Sequence, residues 1–270
     1  MAPTRTPPPA KKACSLMLAP LLLHPVIAPI AAAILGAIFG SFIAALISRW
    51  PQDRSVLAGR SHCDSCGALL RPWQLVPIIS YIALQGRCAT CRAAIGRDTL
   101  IIELTAAAIG AVAMALHPGW AGVAIAAFGW LLLPLAWLDF RHFWLPHRLT
   151  AALAAGGLIT GLAGLGPDWT DRLIGAVAGF AMLWIVAVAY RQLRGLDGLG
   201  GGDPLLLGAI GLWLGWQALP MVLLIASGTG LGIALVLQLR GMTLSSDTRF
   251  PLGTLMAAAA WPVAWLCPLG

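Results

Sequence analysis

The chain has 270 residues, of which 59% are hydrophobic and only 10% are charged, and its mean hydropathy is +0.86. A soluble domain needs about a quarter of its residues charged to cover its surface. The composition therefore argues against a disordered protein, a nucleic-acid-binding domain or a disulfide-stapled secreted module, and it predicts an all-α membrane protein with several spans. Basic loops at the cytoplasmic leaflet explain the net charge of +7 without a nucleic-acid partner.

Eight apolar runs are predicted to form membrane helices, each of which needs about 20 apolar residues. Residues 1–12 are rich in proline and basic side chains, and we expect residues 1–19 to form a disordered tail before a first span at 20–48. The sixth run is too short to cross unless it is tilted, buried by neighbours or partly re-entrant. The runs are Pro20–Ser48, Leu100–Leu116, Trp120–Leu138, Leu149–Leu165, Leu173–Tyr190, Pro204–Gly215, Leu219–Leu237 and Pro251–Leu266.

The distribution of basic residues predicts the orientation of these spans. Most of the 17 lysines and arginines lie in the loops 49–98, 139–148, 191–203 and 238–250, which share one side of an eight-span protein. The positive-inside rule places that side in the cytoplasm, although three basic residues in the tail favour the opposite start. We therefore expect a cytoplasmic domain at 49–98 and a transmembrane helix bundle at 99–270.

The loop 49–98 contains two Cys-x-x-Cys pairs. Each pair can place two thiolates on one metal ion, so two pairs can complete a tetrahedral zinc site. Four thiolates leave no open coordination position, so the zinc would be structural and would stabilise a loop with little core of its own. The alternatives are two disulfides, which a reducing cytoplasm disfavours, or four free thiols. The four residues are Cys63, Cys66, Cys88 and Cys91, whereas Cys14 and Cys267 are expected to be inert packing residues.

The chain has just ten acidic residues, and an acid within a membrane span is costly unless it serves a function. Asp139 ends the third apolar run and Asp203 begins the sixth, so both are predicted at the cytoplasmic end of the bundle. Glu103 is predicted in the first turn of the second span, where the helix dipole suits an acid and a structural role is favoured. We expect the remaining acids to be solvated charges: Asp53, Asp64, Asp98, Asp168, Asp171, Asp197 and Asp247.

Asp139 and Asp203 together suit the chemistry of an aspartic peptidase. Two neighbouring carboxyl groups share one proton, so one can take a proton from water while the other protonates the scissile amide. The glycines before Asp203 would let an extended substrate backbone approach. The structural alternatives are that Asp139 pairs with Arg141 and that Asp203 caps a helix before Pro204. A non-enzymatic zinc-binding scaffold or transporter component is the second hypothesis.

Taken together, these motifs resemble those of the type IV prepilin peptidase family, also called prepilin leader peptidases/N-methyltransferases. The resemblance covers nearly all of the chain after residue 35. Asp139 matches the first catalytic aspartate of the family, and Glu103 matches the acid that opens its second span. The Gly-x-Gly-Asp signature is matched by Gly200, Gly201, Gly202 and Asp203. Further matching segments are Gly40-Ser41-Phe42 with Arg49 and Pro51, the two cysteine pairs at 61–67 and 86–91, and residues 77–81, 212–220 and 250–253.

The resemblance implies an intramembrane aspartic endopeptidase of the bacterial inner membrane, with Asp139 and Asp203 as the catalytic pair at the cytoplasmic face. Its substrates would be type IV prepilins or type II secretion pseudopilins, cut after a glycine to remove a basic leader. The same enzymes methylate the new N-terminus with S-adenosylmethionine, and their loop cysteines bind metal. A peptidase that cannot methylate is the narrower alternative, because the chain departs from the family pattern at Ile43-Ala44, Gln74-Leu75, Pro146-His147 and Leu205.

Overall fold

The computed structural model describes residues 22–52, 61–195, 200–241 and 250–266. Within these residues the protein is all helical and has no β-strand, as predicted. The predictions for the tail at 1–19 and for Cys14, Cys267, Asp53, Asp197 and Asp247 fall outside the described residues. The helices with both ends described are α1 (Ile27–Arg49), α2 (Ile79–Ala83), α3 (Arg97–Leu116), α4 (Trp120–His142), α5 (His147–Leu162), α6 (Trp169–Arg194), α7 (Asp203–Leu214), α8 (Leu219–Leu239) and α9 (Leu252–Leu266).

All of these helices except the short α2 fall at the eight predicted apolar runs. Five of them, α1, α3, α4, α6 and α8, are long and apolar enough to cross a membrane. The sixth run is short, as predicted, because α7 has only 12 residues. Nearly all of α7 is buried, and it packs against α5, α6, α8 and α9. A short apolar helix at the centre of a bundle is shielded from lipid by its neighbours.

Several helix ends differ from the ends of the apolar runs, because polar residues continue the helix beyond its apolar part. The helix at the fifth run, Leu173–Tyr190, extends to Trp169–Arg194. α3 begins at Arg97, so Glu103 lies in its second turn and the acid of the first turn is Asp98. The prediction that the helix dipole accounts for Glu103 is therefore wrong.

The bundle consists of two packed groups of helices that share α4. In one group, α1 and α3 cross so closely at Gly36 and Gly110 that each glycine lies against a backbone carbonyl of the other helix. In the other group, α6 and α7 cross in the same way at Gly175 and Gly211. Small residues at crossing points are the usual means of packing membrane helices. Since α4 contributes side chains to both apolar cores, it holds its C-terminal end, with Asp139, between the two groups.

The outer faces of the bundle are apolar. In the most apolar windows of α6 and α8, only 17% of the residues are buried inside the protein. So large an exposed aliphatic surface is unfavourable in water, whereas it is well solvated by lipid. The exposure pattern thus supports a multi-pass membrane protein.

Candidate active site and cysteine cluster

Asp139 lies in the last turn of α4, and Asp203 is the first residue of α7. Both are buried, with 6% and 5% of their surface exposed. Together with Glu103 they are the three buried carboxylates in the described part of the chain. A buried acid in a membrane bundle is costly, so these three side chains require either a partner or a function.

The two aspartates lie at the same end of the bundle, one at the C-terminal end of α4 and the other at the N-terminal end of α7. Leu145 packs against a glycine beside each of them. A methyl group added to Gly202 would lie 2.6 Å from Leu145 Cβ, and one added to Gly253 would lie 2.9 Å from Leu145 Cδ1 and 3.0 Å from Asp139 Cγ. Neither glycine can therefore carry a side chain unless Leu145 or Asp139 moves.

Asp139 is held by the N-terminus of α9. Its Oδ2 accepts the backbone N–H of Thr254 at 2.7 Å and the Thr254 hydroxyl at 3.0 Å. Thr254 is the third residue of α9, where the backbone N–H groups lack helical acceptors and the dipole favours an anion. The sequence did not identify Thr254 as a site residue, although it directly follows the segment 250–253 that carries part of the resemblance.

The three glycines before Asp203 have different surroundings. The backbone N–H of Gly200 donates to Asp203 Oδ2 at 3.1 Å. A methyl group on Gly201 would lie within 4 Å of no other described atom, whereas one on Gly202 would collide with Leu145. Open space beside Gly201 suits the predicted approach of a substrate backbone, while Gly202 serves close packing.

The structure excludes both structural alternatives for the aspartates. Arg141 does not pair with Asp139, because its Nη2 donates to the two carboxylate oxygens of Asp98 at 2.8 and 2.9 Å. Asp98, predicted as a solvated charge, is thus exposed but paired. Asp203 does not cap α7, since Gly202 occupies the N-cap position and the Asp203 carboxylate turns back to Gly200. Among the described residues neither buried aspartate has a cationic partner.

Glu103 connects the loop 49–98 to the helix bundle. Its Oε2 accepts the backbone N–H of Ile78 at 2.7 Å, and it is 4% exposed. Ile78 has a φ of 62°, a left-handed conformation that is unfavourable for a β-branched residue. The carboxylate therefore stabilises a strained turn and satisfies its backbone donor, which supports the predicted structural role.

The four loop cysteines come together in the structure. Their sulfur atoms all lie within 4.8 Å of one another, and Cys63 Sγ is 3.9 Å from Cys91 Sγ. No disulfide joins them. A tetrahedral zinc ion with zinc–sulfur bonds of about 2.3 Å separates its sulfurs by about 3.8 Å. The residues present therefore fit a metal site with four cysteine ligands.

The cluster is built from two copies of one backbone turn, which the sequence analysis did not identify. In each copy the first cysteine is followed four residues later by a left-handed residue, Gly67 at φ 71° and Arg92 at φ 60°. Each turn closes with an isolated antiparallel bridge, His62 to Leu69 and Arg87 to Ala94. The matching hydrogen bonds are Cys63 N–H to Ala68 O, Gly67 N–H to Cys63 O, Cys88 N–H to Ala93 O and Arg92 N–H to Cys88 O.

The electrostatics of the cluster also suit a cation. The backbone N–H groups of Cys91 and Thr90 lower the pKa of Cys88 to about 6. The N–H of Ala93 acts in the same direction on Cys91, but the neighbouring thiols, Cys66 first, and burial outweigh it and raise the pKa of Cys91 to about 11. The Cys88 thiol thus loses its proton readily, whereas ionisation of the nearby Cys91 thiol is unfavourable. A divalent cation removes that repulsion.

Two clefts in the described part of the chain are large enough to hold part of a small molecule. The first, of about 440 Å³, lies between α5, α6 and α7, and its only polar side chains are His147 and Thr150. The second, of about 540 Å³, includes Asp168, Asp171 and Gln217 but lies at the opposite end of α7 from Asp203. Neither cleft offers the polar groups that an adenosine and an amino-acid head group require near the aspartate pair.

A helical membrane bundle with two buried carboxyl groups at one end has the features expected of a membrane peptidase. Comparison with known families agrees with this class. Residues 34–117 match the bacterial peptidase A24 N-terminal domain, and residues 126–235 match the type IV leader peptidase family. The chain belongs to the type IV leader peptidase family, as the sequence motifs predicted.

Individual relatives carry the name prepilin leader peptidase/N-methyltransferase. The protein from Burkholderia pseudomallei is 42% identical over 210 residues, which cover 77% of this chain and 67% of the relative. The protein from Aeromonas hydrophila is 40% identical, and the match covers 77% of this chain and 71% of the relative. The protein from Pseudomonas aeruginosa is 39% identical, and the match covers 74% of this chain and 69% of the relative. No solved structure matches the chain.

Proposed function

We propose that the protein is an intramembrane aspartic endopeptidase that removes the basic leader from type IV prepilins, with Asp139 and Asp203 as its catalytic pair. The observation that carries this proposal is the burial of two carboxyl groups at one end of the bundle, where Leu145 packs against a glycine beside each and no cationic partner lies among the described residues. The names of the relatives support prepilins as the substrate class. Pseudopilins of type II secretion are proposed as further substrates of the same site.

The two carboxyl groups supply a proton acceptor and a proton donor. The ionised one takes a proton from a water molecule as the water oxygen bonds to the carbonyl carbon of the scissile peptide. The protonated one then gives its proton to the amide nitrogen as the carbon–nitrogen bond breaks. The products are a leader with a new carboxylate and a pilin with a free amino terminus. The proton left on the first aspartate is shared by the pair and restores the starting state.

The test is cleavage of a purified prepilin by Asp139→Asn and Asp203→Asn variants in membranes that lack another such enzyme. Both variants should insert normally and lose cleavage, because an amide can neither accept nor donate the transferred proton. Asp98→Asn is the matched control: this carboxylate lies at the same end but is exposed, and cleavage should be unchanged. Full cleavage by either aspartate variant would overturn the proposal. It would favour a zinc-binding scaffold, for which only the cysteine variants should lose function.

We further propose that the aspartate pair and the cysteine loop face the cytoplasm, because most basic residues lie in the loops at this end. An impermeant maleimide tests this orientation. Ala163→Cys, in the exposed turn after α5 at the opposite end, should label in intact spheroplasts. The loop cysteines should label only in inside-out vesicles after chelation. The reverse pattern would overturn the orientation.

We propose that Cys63, Cys66, Cys88 and Cys91 hold one structural zinc ion. When bound, the ion would cross-link the two turns of the loop, and it has no free coordination position for substrate. The purified protein should carry one zinc per chain, and Cys63→Ser or Cys88→Ser should lose it. Metal content that is the same in the serine variants would refute the site.

Methylation of the new N-terminus with S-adenosylmethionine is proposed as a second activity, on the names of the relatives. Cleavage without methylation is the second candidate, because the chain departs from the family pattern at Pro146-His147 and Leu205. Mass measurement of a prepilin treated with the enzyme decides between them. A product heavier by one methyl group only when the methyl donor is added would establish the transfer.

A further inference from the structure

The two aspartates are held by unequal sets of donors. Asp139 Oδ2 accepts two hydrogen bonds from Thr254, at 2.7 Å from its N–H and 3.0 Å from its hydroxyl. Asp203 Oδ2 accepts one, from the Gly200 N–H at 3.1 Å. Donors to a carboxylate favour its ionised form, so the environment of Asp139 favours the negative charge more strongly. The Oδ1 atom of each aspartate accepts no hydrogen bond from the described residues.

We propose that Thr254 is a positioning residue that holds Asp139 in its ionised form, so that Asp139 is the base that activates water and Asp203 carries the shared proton. This inference rests on the proposed peptidase function and assigns the two roles within the pair.

The geometry around Thr254 leaves little freedom to its hydroxyl. The Oγ1 atom has one hydrogen and two acceptors in reach, Asp139 Oδ2 at 3.0 Å and the Ala136 carbonyl at 2.9 Å. An ionised carboxylate is the stronger acceptor of the two, so it takes this hydrogen. The preceding Gly253 lies so close that a methyl group there would be 3.0 Å from Asp139 Oδ2. The first turn of α9 thus fits directly against the carboxylate.

Other charged and titratable groups around the pair are engaged elsewhere or make no bond to it in the described residues. On α3, Glu103 accepts the Ile78 N–H. On α4, Arg141 pairs with Asp98. The ring nitrogens of His142 and His147, and the guanidinium of Arg148, make no hydrogen bond to either aspartate. Among the described residues, the groups that can determine the pH dependence of the pair are therefore Asp139, Asp203 and their own donors.

Thr254→Val tests the inference because it removes the hydroxyl and keeps the backbone N–H. The rate of prepilin cleavage should be measured against pH at saturating substrate. Loss of a donor makes the ionised Asp139 less favourable, so the acid limb of the profile should move to higher pH by roughly one unit. The basic limb, where Asp203 loses its proton, should stay in place. At a pH on the acid limb, kcat should therefore fall about tenfold with KM unchanged.

Thr254→Ser should restore the wild-type profile, since it returns the hydroxyl. Thr229→Val is the matched control, because Thr229 lies on α8, is exposed and donates only to the Ile225 carbonyl. If the basic limb moved instead, Asp203 would be the base and Asp139 the proton donor. If the profile of Thr254→Val were unchanged, Thr254 would have no positioning role. If the valine variant does not accumulate, Thr254→Ala gives the same comparison. Either outcome, with Asp139→Asn inactive, would contradict this inference but leave the peptidase proposal standing. An active Asp139→Asn variant would contradict the peptidase proposal itself.

Discussion

Arg141 donates from a single nitrogen to both carboxylate oxygens of Asp98, at 2.8 and 2.9 Å, although Asp139 lies only two residues away on the same helix. The guanidinium also lies about 5.8 Å from the ring centre of Trp137. The ion pair joins the start of α3 to the end of α4, and its two side chains are 48% and 46% exposed. The cation nearest in sequence to Asp139 is therefore directed to the surface, and no cation among the described residues pairs with the aspartate.

Arg141→Gln should consequently leave the pH–activity profile of prepilin cleavage unchanged, because the lost charge faces Asp98 and water. An exposed ion pair contributes at most about 1 kcal/mol, so the free energy of unfolding should fall by no more than that. The two quantities are measured by cleavage assays across pH and by denaturation in detergent. A displaced acid limb would mean that the charge of Arg141 reaches Asp139 after all.

The two turns of the cysteine cluster differ at their left-handed position, which is Gly67 in one and Arg92 in the other. A residue other than glycine costs about 1 kcal/mol or more in this conformation. Gly67→Ala should therefore weaken zinc binding about fivefold in competition with a chelator, since binding and folding of the loop are coupled. Arg92→Gly is the complementary change and should bind zinc at least as tightly as the wild type. Weaker binding by Arg92→Gly would show that the arginine side chain itself supports the loop.

Much of the fold follows from local features of the sequence. The apolar runs, the cysteine pairs and the glycines before Asp203 are each visible within a few residues, because length, composition and spacing determine membrane insertion and metal binding. The proximity of Asp139 and Asp203 could be proposed from their shared side of the membrane. The ends of the helices were less predictable, since polar residues such as Asp98 extend helices beyond their apolar parts.

The contacts that orient the site could not be predicted in this way. Thr254 meets Asp139 across 115 residues of sequence, and Arg141 meets Asp98 across 43. A threonine in an apolar helix and an arginine in a basic loop have no distinctive local pattern. Their partners are determined by how the helices pack, through glycine contacts such as Gly253 against Asp139.

Glu103 should be replaceable by glutamine but not by alanine. Glutamine can still accept the Ile78 N–H through its side-chain oxygen, whereas alanine leaves this buried donor unpaired beside a strained φ of 62°. An unpaired buried donor costs about 1–3 kcal/mol, so Glu103→Ala should lower the unfolding free energy by that amount. Proteolysis near Ile78 should become faster in the same variant. If Glu103→Gln abolished cleavage while remaining folded, Glu103 would have a catalytic rather than a structural part.

Arg172 is the least expected residue of the fold. It directly precedes the fifth predicted apolar run, Leu173–Tyr190, and its side chain is fully buried without an acidic partner among the described residues. Its nitrogens donate to carbonyl oxygens from α5, the following turn and the end of α7. These acceptors are Gly157 O at 2.8 Å, Pro167 O at 2.8 Å, Leu212 O at 2.7 Å and Leu165 O, and Thr160 Oγ1 lies at 3.4 Å.

Arg172→Lys should therefore be strongly destabilising even though the charge is kept. A single ammonium group cannot reach carbonyls on three separate segments, whereas the planar guanidinium directs its five N–H groups towards all of them. With several carbonyls unpaired, the unfolding free energy should fall by about 3 kcal/mol or more. Thermal unfolding in detergent measures the loss, and Arg148→Lys, an exposed arginine at the start of α5, should change it by less than about 0.5 kcal/mol. Because Arg172 lies at the opposite end of α7 from Asp203, the molecules that remain folded should cleave prepilin at the normal rate.

Normal stability of Arg172→Lys would show that these hydrogen bonds contribute little to holding α5 and α7 together.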